Sequence, residues 1–260
     1  MKRDKFKIII ITLSALVIIE GVAVIWLLLP RAKKPAVVTI APKGKIAIVI
    51  DDWGYHKNTL ELVNQIKYPL TAAVLPNLTY SSVIANELHG MGFEIILHLP
   101  MEPFEKYRLE KNTLLSSMDE AAITKITGEA LASVGFCRGV SNHMGSKLTS
   151  DSKAMAVIFK ELKKRKLYFL DSLVVSGSVC AGLAGKMNLK FSKRDIFLDN
   201  IEEPAYIRAQ IHKLKTKAKF SGQAIGIGHD RKITLEVLKE AMPELAKEGY
   251  TFVFVSDLVK

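Results

Sequence analysis

Short apolar runs alternate with longer amphipathic segments along most of the chain. Continuous apolar runs rich in β-branched residues are typical of strands buried on both faces of a parallel sheet. Runs of this kind cover 46–50, 70–75, 93–99, 139–140 with its neighbours, 167–170, 195–198, 224–227 and 250–255. Several segments between them open with Asp, Ser or Thr in a helix-capping position. These predicted helices cover 59–66, 81–88, 119–134, 151–164, 203–217 and 234–246.

This alternation predicts an α/β fold. Strand and helix follow each other about seven times, and connections of this length give right-handed crossovers between parallel strands. We therefore expect a closed or nearly closed parallel β/α barrel over residues 45–260, with an open doubly wound sheet as the alternative. The stretch 176–188 is rich in glycine and gives no clear assignment.

The first forty residues have a different pattern. Residues 8–29 contain no Lys or Arg and a single acid, Glu20, and 15 of these 22 residues are Ile, Leu or Val. This is typical of a transmembrane helix, and an uncleaved anchor is favoured over a cleaved signal because the run is long and lacks a small-x-small cleavage site. The expected organisation is a cytoplasmic tail (1–7), an anchor (8–29), a linker (30–44) and a barrel domain (45–260) on the extracytoplasmic side of the cytoplasmic membrane.

The net charge of +11 lies partly in the flanks of the predicted anchor. Residues 1–35 hold seven Lys or Arg and two Asp or Glu, so the remainder has 30 basic and 24 acidic residues, a charge of +6. No basic motif interleaved with aromatic residues accompanies this charge, which argues against nucleic acid as a partner. Cys137 and Cys180 could pair outside the cytoplasm or remain buried thiols.

Polar side chains follow the predicted strands at the point where each strand ends. The carboxyl ends of the strands of a β/α barrel share one rim, so these side chains are expected to converge. Each has an alternative interpretation, since a strand-end Asp often caps the next helix and a strand-end His often only forms a hydrogen bond. The residues are Asp51 and Asp52, Asn77, His98, Asn142 and His143, Asp171, Asp199 and His229.

Two of these histidines and an acid form a set that suits a metal. His98, His143 and a carboxylate of the first strand are a two-His-one-carboxylate combination, which Zn²⁺ and similar cations accept. Successive side chains of a strand point to opposite faces, so Asp51 and Asp52 are expected to point in different directions. We interpret Asp52 as a metal ligand and Asp51 as the base that addresses a bound water.

Seven segments resemble, in order, the motifs of the polysaccharide deacetylase superfamily, and specifically its divergent branch of envelope-anchored bacterial proteins. They are "IDDWG", "HLPMEP", "GVSNHMGSKLTSD", "FLDS", "RDIFLDN", "IGIGH" and "EGYTFVFVSDLV". The resemblance covers residues 45–260 and implies a distorted parallel β/α barrel, a divalent metal that is usually zinc, and hydrolysis of N-acetyl groups of amino sugars. By motif position Asp51 would be the base, Asp52 and His98 metal ligands, and His229 the acid that protonates the leaving amine.

The chain departs from the main branch of this superfamily at two motifs. Glu102 stands where the main branch has a second histidine, and "NHMGS" replaces an Arg-Pro-containing motif. We expect His143 to supply the missing imidazole, with Glu102 a replacement ligand or a neighbour of the ligands. Asp199 or Asp171 would orient His229. Contacts with the substrate or with the site residues are expected for Glu102, Asn142 and Arg194.

The expected function is removal of N-acetyl groups from an envelope polysaccharide such as peptidoglycan. A backbone N–H near Asn77 is expected to contact the oxyanion that forms when water attacks the acetyl carbonyl. The alternatives are a catalytically silent, membrane-tethered glycan-binding module and a metal-dependent hydrolase of amide or ester bonds outside carbohydrates.

Overall fold

The structure, a computed structural model, describes residue 7, residues 12–22, residue 26 and residues 42–260. Residues 12–22 are helical. Within these described ranges no helix has both the length and the apolar character needed to cross a membrane. The predicted tail, anchor and linker lie largely outside the described residues and remain predictions. The chain divides into two compact units, residues 1–39 and residues 40–260.

Residues 42–260 form alternating strands and helices, as the apolar pattern predicts. The strands are β1 (Gly44–Trp53), β2 (Thr71–Val74), β3 (Glu94–Met101), β4 (Gly139–Met144), β5 (Tyr168–Asp171), β6 (Phe191–Lys193), β7 (Ile196–Phe197), β8 (Gln223–His229) and β9 (Tyr250–Val253). The helices are α1 (Leu60–Val63), α2 (Ser81–Gly90), α3 (Glu120–Val134), α4 (Ser152–Lys164), α5 (Cys180–Met187), α6 (Pro204–Ser221) and α7 (Lys232–Lys247). Short 3-10 turns cover Leu148–Ser150 and Val255–Asp257.

All strand pairs of the sheet are parallel, and β1 pairs with three strands, β2, β8 and β9. The order is β6-β5-β4-β3-β2-β1-β8-β7, and β9 pairs with the first residues of β1. The two ends of this order, β6 and β7, are neighbours in sequence but do not pair with each other, so the curled sheet is not closed by a continuous ladder. The parallel β/α prediction is confirmed, whereas β6 and α5 were not predicted because their segments are short and rich in polar or small residues.

Alternation along the strands divides the core into two layers. Ile46, Ile48 and Ile50 of β1 belong to the large cluster that includes the buried faces of the helices. Ala47 and Val49 belong to a smaller cluster, which contains residues of β2, β3, β5 and β8 and so fills the concave side of the sheet. Because successive side chains alternate, the residues that follow this second series at the strand ends lie above the inner layer.

Candidate metal centre

The inner series of β1, β3 and β8 each reach a polar residue near the end of the strand. Asp51 continues the series of Ala47 and Val49, His98 follows Ile96, and His229 follows Ile225 and Ile227. The alternation that fills the concave side with apolar groups therefore brings these three side chains to one end of the sheet. The rim expected from the sequence is present in the structure.

Asp52 departs from this alternation. Its backbone has a φ of 66°, a left-handed conformation that is uncommon for a residue other than glycine, and the register between β1 and β2 shifts between Ile50 and Trp53. As a result both acids approach the same imidazole: Asp51 Oδ2 lies 3.6 Å and Asp52 Oδ1 lies 3.3 Å from His98 Nε2. The expectation that the two carboxylates point in different directions is wrong, because strand alternation does not hold through a bulge.

Asp52, His98 and His143 come together as a possible cation site. One ligand atom from each lies within 4.8 Å of the others, and Asp52 Oδ1 is 3.0 Å from His143 Nδ1. Asp52 Oδ1 is nevertheless buried without a hydrogen bond of good geometry. A buried carboxylate oxygen without a hydrogen bond is costly, and a divalent cation would satisfy it. The donor set fits a metal such as Zn²⁺.

The charges at this site favour a cation. Burial alone would lower the pKa of His98, but the carboxylates of Asp51 and Asp52 outweigh it and raise the pKa above its ordinary value. Burial would likewise raise the pKa of Asp52, but His143 and His98 outweigh it and lower the pKa. For Asp51, burial raises the pKa, partly against the pull of His98. The two carboxylates thus stabilise positive charge between them, which a metal ion would supply.

His98 is held by a residue that the sequence did not suggest. Ser141 is fully buried, and its Oγ shares a 2.8 Å hydrogen bond with His98 Nδ1. This bond fixes the imidazole ring and leaves Nε2 facing the two acids. A partner on the second ring nitrogen is common for histidines that bind metal. Ser141 lies two residues before His143, so the two side chains share a face of the strand. This spacing is the sequence feature from which a role for Ser141 could have been predicted.

His229 is oriented by Asp199. The imidazole Nδ1 donates a 2.8 Å hydrogen bond to Asp199 Oδ1, while the His229 backbone N–H and the Thr234 hydroxyl both donate to Asp199 Oδ2. Burial alone would lower the pKa of His229, but the hydrogen bond and charge of Asp199 raise it. Asp171 instead accepts from Leu173 N–H and the Ser178 hydroxyl. Of the two acids left open by the sequence, Asp199 is the one that contacts His229.

Glu102 and Asn142 have partners elsewhere. Glu102 accepts from Ser116 and pairs with Lys147 at 2.8 Å, so its carboxylate is engaged away from the three possible ligands. Asn142 donates to the carbonyl of Met144 and accepts from Ser172 N–H, which holds the loop ends together. Neither is part of the cation group, and Glu102 as a replacement ligand is not supported by these contacts.

Arg194 reaches the site through an aromatic ring. Its guanidinium donates to the carbonyls of Ser172 and Leu173 and lies 4.4 Å from the centroid of Phe197, which stacks on His229 at 5.3 Å. Arg194 therefore buttresses the ring that packs against His229. In the loop where a backbone N–H was expected at an oxyanion, the Asn77 N–H donates to Ser133 Oγ at 3.3 Å.

The two cysteines are free thiols in the structure. Burial raises the pKa of both Cys137 and Cys180 to about 12, so neither is a reactive thiolate at neutral pH.

Comparison with known proteins places the chain in a family. The family profile described as divergent polysaccharide deacetylase matches residues 48–259. The chain belongs to the divergent polysaccharide deacetylase family. A relative in this range, the uncharacterized protein YibQ of Escherichia coli strain K12, is 36% identical over 216 residues, which cover 83% of this chain and 67% of YibQ. The family resemblance in the sequence is therefore confirmed.

Two solved structures have a similar fold. The uncharacterized protein ATU2773 of Agrobacterium tumefaciens C58 superposes with a TM-score of 0.80 at 23% identity, covering 88% of this chain and 92% of that protein. The catalytic domain of a peptidoglycan N-acetylglucosamine deacetylase from Eubacterium rectale superposes with a TM-score of 0.50 at 15% identity, covering 85% and 94%. At these identities the likeness shows a shared fold.

A buried acid lies next to His229. The side chain of Asp230 is 3% exposed, its Oδ1 accepts a short hydrogen bond from the Thr59 hydroxyl, and its Oδ2 faces His56 Nδ1 at 3.7 Å. Burial raises the pKa of Asp230 to about 6. No role was predicted for Asp230 or His56, although each closely follows a residue of the rim.

Asp230→Asn is expected to stabilise the fold at neutral pH. The folded-state pKa of about 6 lies above the ordinary 3.8, so the unfolded chain releases this proton first as the pH rises. Asp230 therefore costs no stability below about pH 4 and costs most above about pH 6, by about 1–3 kcal/mol. Asn keeps the acceptor for Thr59 and removes the charge. Thermal unfolding should show a higher Tm for the variant at pH 7.5 and no difference near pH 4; an equal difference at both pH values would contradict this assignment.

Proposed function

We propose that this protein is a metal-dependent hydrolase that removes N-acetyl groups from amino sugars of an envelope polysaccharide such as peptidoglycan. The observation that carries the proposal is the convergence of Asp52, His98 and His143, with Asp51 beside them, in a chain of the divergent polysaccharide deacetylase family. The three converging residues would hold a divalent cation, with Zn²⁺ the best fit to two imidazoles and a carboxylate. The barrel domain would act outside the cytoplasmic membrane, anchored by residues 8–29.

A bound cation would lower the pKa of a coordinated water and polarise the acetyl carbonyl. Asp51 is suited to accept the proton of the attacking water, because its carboxyl is buried beside His98 and its Oδ1 has no hydrogen-bond partner. Burial raises the pKa of Asp51, which makes the carboxylate a stronger base.

His229 is suited to the second proton transfer. Asp199 holds Nδ1, so the other ring nitrogen, Nε2, is left to donate a proton to the amine as the carbon–nitrogen bond breaks. The raised pKa of His229 favours the protonated form that this role needs. Water thus adds to the carbonyl carbon, one proton goes to Asp51 and one leaves His229, and the products are acetate and a free amino sugar.

A substrate panel tests this function. The full chain, loaded with Zn²⁺, should release acetate from N-acetylglucosamine oligomers or peptidoglycan fragments and should lose this activity after treatment with a chelator. N-acetylated peptides and simple acetyl esters serve as matched substrates outside carbohydrates. Metal-loaded protein that binds glycans without releasing acetate would instead support a silent glycan-binding module, and release only from peptides or esters would support the other hydrolase class.

A further inference from the structure

The amino ends of the strands form a second face of the barrel domain, at the end opposite the rim. This amino face consists of the segments that lead into the strands, together with residues 254–260. The segments are 42–43, 64–70, 91–93, 135–138, 165–167, 188–190, 222 and 248–249. The Val255 N–H donates to Thr71 Oγ1 at the start of β2, and Lys260 exchanges backbone hydrogen bonds with Phe191 at the start of β6. Residues 254–260 therefore cross this end of the sheet.

The amino face carries an excess of positive charge. It contains seven Lys or Arg and two acids, Glu248 and Asp257. Both acids are engaged, because Glu248 accepts from Lys215 Nζ at 2.8 Å and Asp257 accepts from the Phe254 N–H at 3.1 Å. The basic side chains are all exposed: Lys43, Lys67, Arg138, Arg165, Lys166, Lys190 and Lys260. The face therefore presents uncompensated positive charge to solvent.

Two clefts open on the amino face next to residues 254–260. Their volumes are about 470 Å³ and about 460 Å³, within the range of about 300–1,000 Å³ found for ligand pockets in proteins. The basic residues that line the first cleft are Arg138, Arg165, Lys166 and Lys190. Those that line the second cleft are Lys193, Lys217 and Lys260.

Most of the basic side chains in the clefts have no acidic partner. Arg165 pairs with Glu161 at 2.6 Å, and Lys217 lies 3.8 Å from Asp195 Oδ1. The other five form no ion pair with any of the described residues. Like charges held close together repel, and an anion between them would relieve the repulsion. Phosphate oxygens accept strong hydrogen bonds from Lys and Arg, so a phosphate group suits both clefts.

Two exposed phenylalanines lie next to these clefts. Phe220 is 81% exposed and precedes Ser221, which lines the second cleft. Phe136 is 50% exposed and precedes Cys137, which lines the first cleft. Exposed aromatic rings beside basic side chains are typical of surfaces that lie in the interface of a bilayer, where the rings enter the apolar boundary and the cations meet anionic headgroups. A soluble anion would use the basic side chains and leave both rings in water.

The chain enters the barrel domain through the amino face. The Lys43 N–H donates to the carbonyl of Gly249 at 2.9 Å, and β1 begins at Gly44. The predicted anchor, residues 8–29, is connected to this point by the predicted linker, residues 30–44. A linker of this length spans at most about 50 Å when fully extended. An anchored chain would therefore keep the start of β1 close to the bilayer.

We propose that the amino face docks on a membrane surface that contains anionic lipids. Lipid phosphates would occupy the two basic clefts, and Phe220 and Phe136 would enter the headgroup layer. Docking would turn the rim with the candidate metal centre away from the bilayer. The inference goes beyond the proposed deacetylase function and does not depend on it, because none of these residues belongs to the metal centre or to the proton-transfer pair.

Fluorescence quenching by lipids tests the docking. The full chain is placed in vesicles that contain phosphatidylglycerol and a lipid with a brominated acyl chain, which quenches tryptophan on contact. Phe220→Trp is the reporter, and Phe104→Trp is the matched control, because Phe104 is 62% exposed and follows β3 on the side of the rim. The signal of the original chain, which contains Trp26 and Trp53, is subtracted.

The Phe220→Trp reporter should be quenched in vesicles with phosphatidylglycerol and not in vesicles of phosphatidylcholine. The quenching should disappear at about 1 M salt, where charges are screened beyond about 3 Å. The Phe104→Trp reporter should not be quenched under any of these conditions. Equal quenching of the two reporters, equal quenching in the two lipids, or no quenching of Phe220→Trp would overturn the proposal.

Charge variants test whether the clefts hold the lipid phosphates. Arg138→Gln combined with Lys190→Gln should lower the ratio of docked to undocked reporter by about 25-fold, since each basic residue near an anionic membrane contributes about fivefold. The control pair, Lys125→Gln with Lys153→Gln, removes the same charge from exposed positions on α3 and α4 in the half nearest the rim and should leave the quenching unchanged. An equal loss in both pairs would contradict a role for this face.

Inorganic phosphate distinguishes a lipid headgroup from a soluble anion. Added at the same ionic strength as chloride, phosphate should leave the quenching of Phe220→Trp unchanged, because a free ion lacks the apolar contact that the two phenylalanines make with lipid. Displacement of the reporter from the vesicles by phosphate, but not by chloride, would assign the clefts to a soluble phosphate compound and overturn the membrane proposal.

Discussion

Asp51→Asn is expected to lower the turnover of an N-acetylated glycan by about 10²–10⁴-fold while the protein keeps its metal. Asn has the shape of Asp but cannot accept a proton from the attacking water. Asp51 belongs to the inner strand series and lies 3.6 Å from His98 Nε2, whereas Asp52 makes the closer approach to both imidazoles. The loss should therefore fall on kcat, with metal content measured on the same sample by elemental analysis.

The outcome also tests the division of roles between the two neighbouring acids. If Asp51→Asn loses the metal and Asp52→Asn keeps it, the assignment of ligand and base is reversed. If Asp51→Asn retains both metal and full turnover, the base lies elsewhere and the proposed proton path is wrong.

His98→Gln is expected to reduce metal affinity by more than 100-fold, because changes to outer-shell partners alone cost about 10–100-fold. His98 is central to the group: its Nε2 lies near both acids, its ring makes an edge contact with His143 at 5.0 Å, and its Nδ1 is fixed by Ser141. Asp52→Asn should have a comparable effect, since it replaces the one carboxylate oxygen that approaches both imidazoles. Competition with a chromophoric chelator measures both affinities.

Glu102→Gln provides the matched control for these variants. Glu102 occupies the position where the main branch of the superfamily has a second histidine, but its carboxylate is bound to Lys147 and Ser116. The variant should keep the metal affinity of the original protein. A large loss in Glu102→Gln, or stoichiometric metal in His98→Gln, would contradict the ligand set of Asp52, His98 and His143.

The residues that follow strand alternation were predictable from the sequence. Asp51 and His229 directly follow apolar runs, and His98 lies near the end of one. Period-two alternation continues from the inner core to the rim, so a parallel β/α fold is enough to bring them together. Asp52 could be named as a ligand but its direction could not be predicted, because the bulge and the left-handed backbone depend on pairing with β2.

Contacts between distant segments limited the remaining predictions. Asp171 ends β5 and Asp199 lies two residues after β7. Only the sheet order, which sets β7 next to β8, shows that Asp199 reaches His229. Ser141 and Thr234 are common residue types, and their roles are seen only from the atoms that they contact, His98 Nδ1 and Asp199 Oδ2. No sequence motif marks Asp230. Its buried environment includes Thr59, which comes from another part of the chain, and so could not be predicted from the sequence.

The most direct test of the metal-dependent deacetylase proposal is a titration of the metal-free full chain with Zn²⁺, in which acetate release from an N-acetylglucosamine oligomer is measured at each addition. The account predicts that the rate rises in proportion to added metal and levels off at one ion per chain. Acetate release that is independent of metal, or one bound ion per chain with no acetate released from any N-acetylated glycan, would contradict it.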